Sequence, residues 1–420
     1  MHCSITLVYF GLFVHYPKVE GGPRIRKLKD EKFDIDENEV NANPLEGEDK
    51  IKSLKSMSNL DLPRENDCNE EENDDNSAAS VNCPELGDRK PFKLFRNIDR
   101  NTQCWSNNKP SFNLYMGTSF KTIANKEHHL KSLSPNLYSR NSPNITRLVV
   151  IIHGFENDAR EGGWVHEMAE LVMKNDKTKN IGVLTVDWSE GADIDLGKRK
   201  KRGFLGNVLQ SYVYNPSSAN TRYVGVATER IVKQLNQEDD LYIHCIGHSL
   251  GAHTCGFFGN AIKEDESYKK TSLDRITALD PAGPNFYTDS ARSPDPICSP
   301  KNEKLDKTDA DYVDVIHTDS DHLGTDKSVG HADFYIGDGL DTLGSDQANC
   351  NSFVCDHSRS HEIFRFSISH PTECWAKWRC KTKSIGCQPS FTIKSSEIQF
   401  GYWWDKKPGK YGVILKKNTC

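Results

Sequence analysis

The chain has 420 residues, 36% of them hydrophobic, with 29 glycines and a net charge of −6. That composition fits a globular core diluted by a polar segment, and the negative balance carries no general footprint for nucleic acid. The longest apolar stretch, residues 3–14, is 12 residues long. A membrane-spanning helix needs roughly 18 or more, which speaks against an integral membrane protein.

In chain order, residues 1–16 hold no charged residue except histidine. They read as the apolar centre of a secretory signal, although no Lys or Arg precedes it and no A-x-A site follows. Residues 17–83 carry 10 Lys/Arg against 18 Asp/Glu, leaving 44 of the 54 basic and 42 of the 60 acidic residues for 84–420. The acidic stretch is poor in aromatics and lacks periodicity, so it cannot bury enough apolar surface to offset its ordering entropy. A disordered propeptide or spacer is expected there, with the folded domain in 84–420. The sequon Asn144-Ile145-Thr146 just precedes a hydrophobic strand and suits surface glycosylation.

Strand-like and helix-like segments alternate from Pro110 onward. Residues 148–152 (LVVII) form a β-branched run ended by His153-Gly154. Residues 164–175 place Trp164, Val165, Met168, Leu171 and Val172 at the spacing of an amphipathic helix. Residues 181–186 (IGVLTV) read as a buried strand, and 217–237 as a helix with Val224, Ala227, Ile231 and Leu235 on one face. Residues 241–246, 275–279 and 312–316 are three more apolar strands. Such alternation implies an α/β fold: a mostly parallel sheet covered by helices on both faces. The basic run at 198–202 (KRKKR) suits an anionic lipid surface, a solvated loop or a dibasic cleavage site.

Gly247-His248-Ser249-Leu250-Gly251 follows the third of these strands and precedes a helical run. G-x-S-x-G in that setting is a nucleophile elbow: a cramped strand-to-helix turn that projects the serine hydroxyl and aims a helix N-terminus at the reaction centre. A serine hydroxyl is a weak nucleophile and needs a histidine base and an orienting carboxylate, in the chain order Ser, acid, His. Asp280 closes a strand on the same sheet edge and is followed by Pro281. For the base, the pattern leaves His317, His322, His331, His357 and His361 open. His357 is best placed, two residues after Cys355 in a loop that opens a helix.

Thirteen cysteines are present, twelve once Cys3 is set aside with the signal. An even number crowded towards the C-terminus, with no paired C-x2-C clusters, indicates disulfides in an oxidising compartment rather than zinc. A secreted protein is expected.

Seven motifs together resemble the secreted animal lipases similar to pancreatic and lipoprotein lipase: VVIIHGF (149–155), VDW (186–188), IGHSLGAH (246–253), LDPAGP (279–284), VDVIHTD (313–319), GHADFY (330–335) and CDHSRS (355–360). The resemblance covers about 84–420 and implies an α/β-hydrolase fold. It implies Ser249 as nucleophile, Asp280 as orienting acid, His357 as base, and the backbone N–H groups of Phe155 and Leu250 as the oxyanion hole. His248, His253 and His331 then read as scaffold. No cofactor is required.

The digestive members add a C-terminal β-sandwich, which a chain ending soon after Tyr411 is not expected to contain. Their lid is a long helical loop closed by a disulfide before the catalytic histidine. The equivalent cysteines are Cys350 and Cys355, with only four residues between them, too few for a useful helix. That short lid, with a short loop between His317 and His331, resembles the phospholipases A1 of the family. The implied substrate is a glycerophospholipid cleaved at its sn-1 ester, at a peripheral membrane or lipid interface. A triacylglycerol lipase and a non-catalytic, yolk-type lipid-binding protein are the alternatives. By the same resemblance, Asp306 and Asp309 match the side-chain ligands of a structural calcium site.

Overall fold

In the computed structural model, the described residues are 7–9, 12–14, 80–81, 92–93, 110–116, 119–124, 145–178, 180–192, 205–235, 241–266, 270–287, 304–394 and 397–415. Apart from the short strand pieces, the expected signal and acidic segment lie outside them, as do Asn144, the basic run at 198–202, Cys298 and Cys420. The chain divides into two units, and all that follows concerns the larger one, which includes Glu70–Cys420.

An eleven-stranded sheet organises this unit. Its strands are β1 (Ser111–Met116), β2 (Ser119–Ala124), β3 (Arg147–Ile152), β4 (Ile181–Asp187), β5 (Tyr242–His248) and β6 (Arg275–Leu279). They continue with β7 (Val313–His317), β8 (Ala332–Gly337), β9 (Trp378–Cys380), β10 (Pro389–Thr392) and β11 (Gly409–Ile414). The spatial order is β10-β9-β11-β8-β7-β6-β5-β3-β4-β1-β2. From β4 across to β11 every neighbouring pair is parallel, whereas hairpins β1–β2 and β9–β10 close the two edges antiparallel. This is the mostly parallel sheet expected from the alternating segments, in the α/β-hydrolase architecture that the family resemblance implies.

Among the described residues the helices are α1 (Trp164–Asn175), the short α2 (Ser189–Ala192), α3 (Leu205–Leu235), α4 (Leu250–Glu264) and α5 (Phe353–Ser369). Both faces of β3 are buried. Leu148, Val150 and Ile152 pack with α3 and α4, including Val224, Ala227, Leu250 and Phe258. Val149 and Ile151 pack on the other face with α1 and α5, including Met168, Val172, Ile363 and Phe364. Side chains alternate across a strand, so a run of five apolar residues is what a two-sided core requires.

One helix differs from expectation. A start at Ser217 was expected, just after Pro216, but α3 continues back to Leu205. Proline removes one N–H from the i→i−4 ladder and restricts its neighbour, and the bonds on either side carry the helix through it.

Candidate active site

Parallel register brings the first two residues together. His248 pairs with Leu279, and Leu279 with Ile316. Ser249, Asp280 and His317 therefore follow or complete adjacent strand ends at one edge of the sheet, with neighbouring strands roughly 4.8 Å apart. Backbone bonds reinforce the row: Ser249 N–H donates to Leu279 O at 3.0 Å and Asp280 N–H to Ile316 O at 2.7 Å.

Ser249 sits between β5 and α4 with φ of 57° and ψ of −120°, a strained backbone for a residue with a side chain. The neighbouring glycines make the turn possible. A Cβ on Gly247 would stand 2.2 Å from Gly251 O, and one on Gly251 would stand 2.3 Å from Ile152 O. Leu250 opens α4, so its N–H lacks an intrahelical acceptor and joins the positive end of the helix. A disulfide between Cys245 and Cys255 ties β5 to α4 on either side of the turn.

The loop after β3 approaches from the other side. A Cβ on Gly154 would meet Ser249 Cβ at 2.7 Å and Ser249 Oγ at 3.3 Å, which sets the Gly154-Phe155 backbone against the hydroxyl. Residues at the end of β4 hold that loop in place. Trp188 Nε1–H donates to His153 O at 2.8 Å, Trp188 N–H donates to His153 Nε2 at 3.1 Å, and the two rings stack. The VDW motif is thus the brace for the HGF loop.

Asp280 is fully buried, and its two oxygens are used separately. Oδ1 accepts Thr318 N–H at 2.9 Å and Asp319 N–H at 3.3 Å. Oδ2 lies 2.6 Å from His357 Nδ1. His357 arrives on α5, whose N-cap is Ser352, the Oγ accepting Cys355 N–H at 3.3 Å. This corrects two expectations: His357 lies within the helix, not in a loop before it, and Phe353 and Val354 between the bonded cysteines Cys350 and Cys355 already belong to α5. The short interval is the capped first turn of a 17-residue helix.

The other histidines have different partners. His317 bridges Thr325 O at 2.8 Å and Asp333 Oδ1 at 3.0 Å, His322 meets Asp319 at 3.0 Å, and His331 accepts Val313 N–H at 3.0 Å. His253 stacks on Phe286 and reaches Ala282 O at 2.9 Å, anchoring the loop after Asp280. His248 lies against both His357 and His361, and His361 stacks on Trp164. Burial first, and then neighbouring positive charge, pushes the imidazoles of His248 and His361 well below their usual range. They stay neutral, so they do not repel a proton held on His357.

Asp319 is the residue that sequence reading passed over. It is buried beside Asp280, with its carboxylate accepting Leu323 N–H at 2.9 Å. Burial, and next the charge of Asp280, raises its carboxyl well above the usual carboxylate range. Its place at the end of the VDVIHTD motif was the available signal. Asp280, Asp319 and His357 offer ligand atoms within 4.8 Å of one another. The N–H donors already on Asp280 leave little there for a cation.

Residues 205–402 match the lipase family. Over 238 residues the chain is 36% identical to phospholipase A1 of Vespula maculifrons, an overlap covering 55% of this chain and 68% of that protein. The chain belongs to the lipase family. Phospholipase A1 of Polybia paulista is 33% identical over 254 residues, covering 57% of this chain and 68% of that one. Lipase member H of Mus musculus is 30% identical over 288 residues, covering 64% of this chain and 55% of that one. The chain thus spans about half the length of the lipase member H proteins it matches. These relatives put it in the pancreatic lipase-like, phospholipase A1-type part of the lipase family.

For a lipase-family chain, the acidic turn near α4 is the place to test for a cation. Asp306 Oδ1 accepts Thr308 N–H, Asp309 Oδ2 accepts Asp306 N–H at 2.8 Å, and Gly256 and Gly259 of α4 admit Asp309 closely. Burial raises the Asp309 carboxyl to about 8, so a hard cation would relieve it. The donor chemistry fits calcium, although two side chains supply only part of the six to eight oxygens it takes.

Proposed function

We propose that the chain is a secreted serine esterase that hydrolyses the sn-1 acyl ester of glycerophospholipids. The observation that carries the reading is a strained Ser249 at a strand-to-helix turn, on the same sheet edge as an Asp280–His357 pair at 2.6 Å. Ser249 Oγ attacks the ester carbonyl while His357 Nε2 takes its proton. Asp280 Oδ2 holds the Nδ1 proton and stabilises the imidazolium. The carbonyl oxygen becomes an oxyanion bound by the N–H groups of Phe155 and Leu250. His357 then protonates the leaving lysophospholipid alcohol, and water, deprotonated by the same ring, releases the fatty acid and restores Ser249. These steps use protein groups and water alone.

Residues 84–420 would form the catalytic domain, behind a signal at 1–16 and a spacer at 17–83. The disulfides Cys245–Cys255, Cys350–Cys355 and Cys380–Cys387 support an extracellular setting. Asn144 would carry a glycan, and Asp306 and Asp309 would help to hold a structural calcium. The short Cys350–Cys355 interval favours a phospholipid over a triacylglycerol, because it adds no apolar wall for a third chain. The test is a phosphatidylcholine bearing different acyl chains at its two positions. Release of the sn-1 chain is expected; release of the sn-2 chain, or turnover of triolein with none of phosphatidylcholine, overturns the reading.

A further inference from the structure

In a chain of net charge −6, residues 374–396 contain Lys377, Arg379, Lys381, Lys383 and Lys394 and no acidic residue. Most of this stretch is the β9–β10 hairpin at the edge of the sheet, closed by the Cys380–Cys387 disulfide. Lys381, Lys383 and Lys394 are exposed. Lys377 and Arg379 are engaged locally, with Lys377 Nζ on Ile414 O and the Arg379 guanidinium over the Tyr411 ring.

The register makes this edge unusual. Phe334 pairs with Tyr411, Tyr411 with Arg379, and Arg379 with Phe391, so the four lie in one row across one face of the sheet. Phe334 is 0% exposed and Tyr411 1%, both in the core, whereas Phe391 at the end of the row is 59% exposed. Ile385, in the disulfide-closed turn, is 61% exposed. Among the described residues, the exposed large hydrophobics are Leu340, Ile385 and Phe391, and two of these share this hairpin with the lysines.

A single exposed apolar side chain needs no explanation. An exposed aromatic and an exposed aliphatic side chain on one hairpin with three exposed lysines match the boundary between headgroups and acyl chains. A soluble polyanion could pair with the lysines but would leave Phe391 and Ile385 in water. The disulfide and the sheet pairing hold the hairpin in place, so little ordering entropy is lost on docking. We propose that the β9–β10 hairpin is a docking surface for an anionic phospholipid membrane, with Phe391 and Ile385 entering the interface and Lys381, Lys383 and Lys394 facing the headgroups. This builds on the esterase reading by stating how the protein meets aggregated lipid, and it can be tested without hydrolysis.

The probe is a vesicle of ether-linked phosphatidylcholine, which has no ester to cleave, with and without ether-linked phosphatidylglycerol. Binding to the mixed vesicles should be tighter by at least about ten-fold, and the difference should shrink as salt rises. Combining Lys381→Gln, Lys383→Gln and Lys394→Gln should lower affinity for the mixed vesicles on the order of a hundred-fold, about five-fold per lysine. Combining Ile385→Ser and Phe391→Ser should weaken binding to both vesicles at every salt concentration. All variants should turn over a soluble short-chain ester like the unmodified protein, which shows that the fold is kept. Vesicle binding unchanged in either variant overturns the proposal. So does a lysine variant that loses heparin but keeps vesicles, since the hairpin would then be a polyanion site. A protein that docks as described yet hydrolyses only triolein refutes the phospholipid reading and leaves the docking surface standing.

Discussion

Asp319 lies against Asp280 beneath His357, its N–H donating to Asp280 Oδ1 at 3.3 Å while its own carboxyl is kept protonated by burial and by that neighbouring charge. Asp319 thereby keeps its proton while Asp280 Oδ2 takes the imidazole N–H of His357.

The pH dependence follows from this arrangement. Asp319 titrates near 3.9 when unfolded but is raised to about 9 when folded. Between those values the folded state keeps a proton that the unfolded state has released, so stability falls as pH rises through the window. Asp309 and Asp356, raised by burial to about 8 and about 6, act with the same sign. Asp319→Asn should therefore flatten the decline without abolishing it. Urea unfolding at mildly acidic, neutral and alkaline pH measures this, and parallel curves for the two proteins would contradict it.

Ser249→Ala removes only the Oγ from a buried turn whose backbone is fixed by Gly247, Gly251 and the bond to Leu279 O. Ester hydrolysis should drop by several orders of magnitude with the melting temperature nearly unchanged. A folded variant that keeps most of its activity would remove Ser249 from the nucleophile's role.

Gly154→Ala is the sharper probe of the oxyanion loop. The new Cβ would stand 2.7 Å from Ser249 Cβ and 2.8 Å from His248 O, so the loop must retreat from the serine. A loss of about a hundred-fold in kcat is expected, the size of losing one oxyanion donor, with a smaller change in KM. Near-normal kcat would show that Phe155 N–H is not aimed at the reaction.

The disulfide across the elbow should contribute to stability. Cys245 and Cys255 are both fully buried, and replacing them together as Cys245→Val and Cys255→Ala should cost about 2–3 kcal/mol by denaturant unfolding. Peptide mapping without reduction should also recover Cys245 joined to Cys255 and Cys350 joined to Cys355. Free thiols at these positions in the native protein would refute the pairing.

Substrate preference can be moved by design. Inserting a long amphipathic loop between Cys350 and Cys355, outside the α5 cap at Ser352, supplies walls for additional acyl chains at roughly 0.8 kcal/mol per buried CH2. The rate on triolein relative to phosphatidylcholine should rise. If the unmodified protein already prefers emulsified triolein, loop length does not set the preference.

Much of this protein was written in local sequence. The five-residue apolar run at 148–152, the spacing of 164–175 and the glycines around Ser249 act between near neighbours, through side-chain alternation, helical period and the space a Cβ would need. They announce a two-sided parallel sheet, its flanking helices and a strained serine before any tertiary contact is known. Pairings between distant residues were decided elsewhere. Which of five histidines meets Asp280, 77 residues away from His357, depends on where α5 starts, and that depends on the Ser352 cap. Asp319 looked like any motif acid until the ends of β6 and β7 brought it beside Asp280. Nothing in the local sequence set Phe391 apart; strand register placed it at the exposed end of a row that begins in the core. Local pattern sets which elements form. Strand register and helix packing, which join residues far apart in the chain, set which side chains meet.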